Sequence, residues 1–497
     1  MTTQAYEAVI IGVGFAGISA ARELLVAGHS NFIILEQTEE VGGVWRDNRY
    51  PNAACDVPAH LYSLSFALNP EWSCNYAGWN EILAYMNGVV DELNIRDKIR
   101  FRSKVVAAHW DNSAATWELT LQDATAIRCR YLIPAVGAIS RPLIPDLPGM
   151  DEFKGEIVHT AHWHKEIDFS GKRVAVVGAG ASAIQVVPYA VGTADAVLTV
   201  IRTAPYVIPK PEEFYDERDK AFFRANPHVL ADKRRAVYDD FNVSTEASAA
   251  MDAEYLDNAT ATWRKHMESA IQDPELRRLL TPDYRFGCRR PAFSNTYYPA
   301  LADPKTTVWD DVIVGFTKTG VIGADGREWD ADFVVLATGF RGTEMFAGVT
   351  YTGKGGVLLH EKWAGVPEAY KGTFVAGFPN LFLMTGPNTQ AVGSIIGIIE
   401  AQTRMIVRLI TTAQETGAST IGVTEYAQRH YNDWLDEKMT GTVWEAGGCR
   451  SWYRVEGKGK VVVRFPASLA TFERLTENDE PDDIIFSTEG NRAVAAI

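Results

Sequence analysis

The sequence predicts an α/β fold of two doubly wound units, the second inserted in the first, and three observations predict it. Gly12-Val13-Gly14-Phe15-Ala16-Gly17 follows an apolar run, Ala8 to Ile11, and opens a helix-like stretch. The same pattern returns at Gly178-Ala179-Gly180-Ala181-Ser182-Ala183, after Val174 to Val177. Between them Ser140 to Gly149 is proline-rich and reads as a crossing linker. Two strands that end in glycine turns, Tyr131 to Gly137 and Asp332 to Phe340, suggest that the chain leaves the first unit near Gly137 and regains it near Gly339.

Strand, glycine-rich turn and helix are what a Rossmann-like dinucleotide-binding domain requires, the glycines giving a tight turn and a close approach of backbone to a pyrophosphate. At the same offset from each first glycine, a second apolar strand closes on Glu36 in one unit and on Arg202 in the other. A carboxylate there bonds a free ribose hydroxyl, and an arginine accommodates a 2′-phosphate. The first site therefore suits FAD and the second NADPH, with Thr203 adding a hydroxyl donor. The expected division is an FAD-binding domain over 1–142 and 336–497, the latter including a C-terminal segment, and an NADPH-binding domain over 143–335. Between Pro211 and Pro282 apolar residues recur at helical spacing (Phe222, Phe223, Leu230, Val237, then Trp263, Met267, Ile271). This helical excursion either covers a substrate pocket or serves as plain scaffold. After Gly386-Pro387-Asn388 an amphipathic helix is expected from Ser394 to about Thr412, whose N-terminal dipole would favour negative charge on a reduced flavin.

With 497 residues and a formal charge of −15, the chain lacks the clustered basic charge that nucleic acid or an anionic membrane selects. No window reaches the roughly 18 uninterrupted apolar residues of a membrane span, so no membrane insertion is expected. Cys55, Cys74, Cys129, Cys288 and Cys449 are scattered without a C-x-x-C pair. Neither a disulfide framework nor a redox dithiol is expected, and a reducing, cytoplasmic location fits. His159, His162 and His164 have no carboxylate or cysteine to complete a metal set, so no metal is expected.

Phe153-Lys-Gly155-Glu-Ile-Val-His159-Thr-Ala-His162-Trp163 fits F-x-G-x-x-x-H-x-x-x-W, and Gly42-Gly43-Val44-Trp45-Arg46-Asp47-Asn48-Arg49-Tyr50-Pro51 through Asp56 fits G-G-x-W-x-x-x-x-[FY]-P-x-x-x-x-D. With the two fingerprints and Gly287-Cys288-Arg289-Arg290-Pro291, the chain resembles the class B flavoprotein monooxygenases, in their Baeyer–Villiger branch. It departs from the family at Asn52, where Gly or Met is usual, at His164, where Pro or Asp is usual, and at Arg341, where an acidic residue is common.

The resemblance implies an enzyme that uses FAD, NADPH and dioxygen to insert one oxygen atom beside the carbonyl of a ketone or aldehyde through a flavin C(4a)-peroxide. It implies that Arg290 keeps that peroxide anionic, since arginine holds its proton, and that Asp56 orients Arg290 by a salt bridge. It places Val44, Trp45, Arg46, Asp47 and Tyr62 around the flavin and Val105 beside the adenosine. It places Arg289 on the NADPH phosphate, Gln185 along that cofactor and Trp452 on the nicotinamide ribose. The alternatives are a sulfur- or nitrogen-oxidising monooxygenase or hydroxylase on the same scaffold, a disulfide reductase, which the missing cysteine pair disfavours, and a non-catalytic flavoprotein.

Overall fold

The computed structural model describes residues 4–164, 167–390, 393–479, 482–488 and 492–494. The chain opens as strand, helix, strand: β1 (Gln4–Ile11), α1 (Phe15–Val26) and β2 (Phe32–Leu35). The last four residues of β1 are all apolar and all buried, as a central parallel strand covered on both faces requires. A short helix α2 (Val44–Asp47), then α3 (Trp79–Glu92), lead to β3 (Ile99–Arg100), β4 (Val105–Asp111), β5 (Thr116–Leu121) and β6 (Ala126–Pro134). Strands β6, β1, β2 and β3 run parallel, whereas β4, β5 and β6 form an antiparallel ribbon.

The second domain contributes β7 (Glu156–His159), β8 (Arg173–Val177), α4 (Ala181–Thr193) and β9 (Ala196–Val200), then β10 (Val207–Ile208). Next come four helices, α5 (Glu217–Ala225), α6 (Pro227–Ala249), α7 (Ala253–Ala270) and α8 (Pro274–Leu279). Their starts are written in the sequence: Asp216 forms a capping box with Asp219, Pro227 and Pro274 open their helices, and the Asp252 and Asp273 side chains accept free backbone N–H groups. After β11 (Ala292–Phe293) and α9 (Tyr297–Leu301), β12 (Thr306–Trp309) rejoins the sheet. A meander of β13 (Ile313–Phe316), β14 (Gly320–Gly323) and β15 (Glu328–Asp330) precedes β16 (Phe333–Leu336). The resulting five-stranded sheet is parallel throughout, in the order β12-β9-β8-β16-β7.

The chain then returns to the first sheet, where β17 (Thr350–Thr352) pairs with β4, giving the order β17-β4-β5-β6-β1-β2-β3. The outgoing and returning crossings run side by side, with the Leu143 N–H donating to the Gly339 carbonyl at 2.8 Å and the Arg341 N–H to the Arg141 carbonyl at 2.9 Å. Helices α10 (Leu359–Trp363) and α11 (Ile395–Glu415) follow; α11 is capped by Ser394 and lies along α1. The second domain is thus inserted in the first, and no helix among the described residues is long and apolar enough to cross a membrane.

The cysteine reading is corrected by the fold. Cys288 and Cys449 are joined in a disulfide across a sequence separation of 161, while Cys55, Cys74 and Cys129 are free and buried. No short spacing announces this bridge, because residues 285–288 meet residues 447–449 only once both domains are assembled; the Arg285 N–H donates to the Gly447 carbonyl at 2.9 Å. The cysteine argument for a reducing compartment lapses with it.

Candidate functional site

In both fingerprints the first glycine is jammed and the second is free. Gly12 has φ +100°, and a Cβ on it would stand 2.7 Å from the Ala135 carbonyl oxygen; Gly178 has φ +130°, and its Cβ would stand 2.3 Å from that of Ala337. Beside Gly14 and Gly180 lies space, nothing closer than 3.9 Å in the one and nothing within 4 Å in the other. That is the cradle a pyrophosphate needs, backbone N–H groups at a helix start with no side chain in the way. Gly17 and Ala183 are buried where helix meets strand, and Ala181 and Ser182 form the first turn of α4.

Glu36, buried at the end of β2, accepts the Val13 N–H at 3.1 Å, the Thr38 N–H at 3.0 Å and an Arg46 N–H at 2.9 Å. Arg46 also clasps Asp47 at 2.8 Å. Burial works against the Arg46 charge, but these two carboxylates hold its proton more tightly than usual. Val44 and Trp45 stand on the same short helix, and the Trp45 indole N–H donates to the Tyr62 hydroxyl at 3.1 Å. Val105 is buried at the start of β4, two residues beyond Ser103, whose N–H bonds the Glu36 carbonyl at 2.8 Å. These residues form one group around the first turn, and the carboxylate, the arginine and the bare turn fit FAD.

Around the second turn Arg202 is exposed at the end of β9, with Thr203 next to it. Arg289 extends over the Tyr284 ring at 5.3 Å and donates to the Arg450 carbonyl at 2.7 Å. Burial chiefly depresses the Arg289 pKa, and the nearby Arg202 charge adds to this against the opposing pull of Tyr284 and Asp283. That donor set fits the phosphate of NADPH. Gln185, on the first turns of α4, donates to the Ala54 carbonyl at 2.9 Å and accepts from the Tyr50 hydroxyl at 2.8 Å.

Between the two turns the Arg290 guanidinium meets Asp56 in a bidentate pair, Nε and Nη2 each 2.7 Å from a carboxylate oxygen. Burial alone would lower the Arg290 pKa; the Asp56 carboxylate more than reverses this. The Arg290 backbone N–H donates to the Tyr453 hydroxyl at 3.2 Å. Trp452, 43% exposed, lies against Gly342, where a Cβ would come within 2.5 Å of its ring. Its ring lies 4.9 Å from that of Tyr453, in the strap where the disulfide joins residues 288–290 to residues 447–453. His159 donates from Nε2 to the Gly339 carbonyl at 3.1 Å and accepts the Ala161 N–H on Nδ1, tying β7 to the returning crossing.

Three residues of the site carry no role in the sequence reading: Tyr50, Tyr453 and Arg464. Tyr50 stands inside a motif already quoted and Tyr453 directly follows Trp452, so their positions were visible and their hydrogen bonds were not. Arg464, buried between the rings of Trp444 and Tyr453 at 4.9 and 5.1 Å, is announced by no pattern. The departure at Asn52 has a backbone reason: φ is +64°, a region Asn tolerates where the family's usual Gly adopts it freely. His164 pairs with Glu156 at 2.6 Å and Arg341 with Glu344 at 2.8 Å, both at the surface.

Residues 6–228 match the pyridine nucleotide-disulphide oxidoreductase family. A Baeyer–Villiger monooxygenase of Streptomyces coelicolor is 38% identical over 469 residues, which are 94% of this chain and 90% of the relative. Cyclohexanone monooxygenase from Rhodococcus sp. Phi1 bound to NADP+ superposes with a TM-score of 0.86 at 26% identity, covering 96% of this chain and 97% of that one. OTEMO in complex with FAD and NADP gives 0.85 at 26% identity, covering 96% and 98%. Fold, cofactor turns and kinship over nearly the whole length agree, and the chain belongs to the Baeyer–Villiger monooxygenases.

Proposed function

We propose that Arg290, held by Asp56, is the fixed cation at which this FAD- and NADPH-dependent monooxygenase inserts one oxygen atom of dioxygen beside the carbonyl of a ketone or aldehyde of moderate size. The flavin, when bound and reduced by NADPH, supplies the activation of dioxygen. The rest falls to the chain. Attack on a carbonyl carbon builds negative charge on oxygen, and a guanidinium stabilises that charge without surrendering a proton. Asp56 occupies the Nε and Nη2 edge of Arg290, which leaves Nη1 outside that pair. Arg202, Thr203 and Arg289 would hold the NADPH phosphate, Gln185 would lie along the cofactor, and Trp452 would cover the nicotinamide ribose. Glu36, Arg46 and the Gly12 turn would hold FAD, with Val44, Trp45, Asp47 and Tyr62 near the ring and Val105 near the adenosine.

The observation that carries this reading is the bidentate pair itself, which joins residues 234 apart, one from each domain. Oxygenation of sulfur or nitrogen calls for a proton donor at the same place, and arginine is none. A ketone substrate agrees with the cyclohexanone monooxygenase it resembles. The proposed division is 1–142 and 336–497 for the FAD domain and 143–335 for the NADPH domain.

The test is mass spectrometry of products after incubating the FAD-loaded protein with NADPH, labelled dioxygen and a panel of ketones and sulfides. One labelled oxygen inserted beside a carbonyl, reduced about 100-fold or more in Arg290→Ala while flavin reduction persists, is expected, the loss typical of one oxyanion-stabilising donor. Labelled sulfoxide alone, unaffected by the substitution, would overturn it.

A further inference from the structure

Tyr50 belongs to the first domain, yet its hydroxyl ends on the second. It donates to the Gln185 side-chain oxygen at 2.8 Å and lies 3.1 Å from the Ser182 hydroxyl, both on the first turns of α4. The ring is buried, 6% exposed, and packed with Ala53, so the hydroxyl is placed by the core and not by solvent. Burial pushes its pKa up to about 12, which keeps the donated proton in place at neutral pH. Because Gln185 receives that proton on its oxygen, its amide N–H₂ is turned the other way, toward the Ala54 carbonyl at 2.9 Å. Two residues further on is Asp56.

The segment from Tyr50 to Asp56 is gripped on its opposite side as well. The Cys55 N–H donates to the Ala77 carbonyl at 3.0 Å and the Trp79 N–H to the Ala53 carbonyl at 2.9 Å. The segment is therefore a short splint between α4 and the Arg290 partner, with Asn52 at φ +64° as its one left-handed joint. The Asn52 amide adds a longer link from the same segment to the Gln185 backbone carbonyl, at 3.5 Å.

We propose that Tyr50 is a positioning residue: through Gln185 and Ala54 its hydroxyl makes the placement of the Asp56–Arg290 pair depend on NADP(H) at the 178–183 turn. This rests on the function proposed above. With nucleotide on the turn, α4 is held and the splint holds the carboxylate that aims Arg290. With the hydroxyl removed, the Gln185 oxygen loses its donor, the amide can rotate, and Ala54 is released while the ring still fills its place. NADPH, a proton and dioxygen then end increasingly as NADP+ and hydrogen peroxide with the ketone unchanged, instead of combining with the ketone to give NADP+, water and ester.

The experiment compares FAD-loaded wild type with Tyr50→Phe, using NADP+ as the probe. Hydrogen exchange is expected to show NADP+ protecting both α4 and residues 53–57 in wild type, and α4 alone in the variant. In turnover with a ketone that wild type oxygenates, the peroxide share of consumed NADPH is expected to rise about three- to ten-fold, the range one hydrogen bond commands. KM for NADPH should change far less. Unchanged protection of 53–57 in the variant would overturn the proposal, as would a change in KM alone or in melting temperature alone. Absence of protection at α4 in wild type would overturn it together with the placement of NADPH, and wild type yielding no oxygenated product from any ketone would strike the functional reading instead.

Discussion

Two buried histidines show how single residues make this fold sensitive to acid. His159 and His60 have pKa values lowered to about 4, in both cases chiefly because burial penalises the charged ring. His159 uses both nitrogens on backbone, and His60 bonds the Tyr215 hydroxyl at 3.0 Å, whose own proton goes to Glu213 at 2.9 Å. Each is neutral when folded and takes up a proton near pH 6.5 when unfolded. The unfolded chain therefore binds more protons between those values, and stability falls as pH drops from about 6.5 toward 4, by on the order of 3 kcal/mol per histidine at most. Melting temperatures across that window should fall less steeply in His159→Gln and His60→Gln; identical slopes would refute the assignment. The positions of Glu36 and Arg202, each at the close of a second strand at one offset from a first glycine, were legible in the sequence. Tyr50 and Tyr453 were not, because a hydroxyl's partner is fixed by folding and leaves no trace in spacing.

At the scale of elements, the helical excursion was legible in its apolar spacing, but its attachment was not. Helix α6 belongs by chain order to the second domain, yet Arg234 on it donates to the carbonyls of His60, Leu61 and Ser63 at 3.3, 3.0 and 2.7 Å. The same guanidinium pairs with Glu400 of α11 at 3.4 Å, and Glu400 accepts the Ser65 N–H at 2.6 Å. Tyr238 and Asn242 continue the contact, to Glu473 at 2.5 Å and to the Ala470 N–H at 3.1 Å. The excursion is thus clamped to the FAD side, next to the loop bearing Tyr62. Arg234→Met would leave Glu400, 7% exposed, without its cation, a loss of about 3 to 5 kcal/mol when a buried pair is broken. Urea melts should register that loss, and limited proteolysis should cut faster within 217–249. Adding Glu400→Leu should restore part of the stability, since an apolar pair has no charge left to bury. Failure of the double variant to recover any would mean that the bonds to the three carbonyls, and not the ion pair, hold the helix.

Across the whole molecule, catalysis by this family's chemistry needs groups from both domains and the C-terminal segment in one place, and the Cys288–Cys449 bridge is where the covalent chain enforces it. Cys288 directly precedes Arg289 and Arg290, and Cys449 lies three residues before Trp452. Around the bridge, a Cβ on Gly447 would stand 2.8 Å from the Cys288 Cβ, so only glycine lets the two segments close this tightly. Arg289 then bonds the Arg450 carbonyl, and Tyr453 receives the Arg290 N–H. Closing a loop of this length restricts the unfolded chain by several kcal/mol, about 4.7 for 100 residues in the chain-entropy account. Alkylation of the denatured, unreduced protein should label Cys55, Cys74 and Cys129 only, and a dithiol should expose the other two. The reduced, refolded protein should melt several degrees lower and should lose oxygenation and affinity for NADPH together while keeping FAD, because Arg289 and Arg290 both adjoin the bridge and the cofactor turn at Gly12 lies outside it. Five labelled cysteines without reductant would mean that non-covalent contacts alone hold the strap. Loss of FAD in step with oxygenation would mean that the bridge supports the whole fold and not the placement of Arg289 and Arg290.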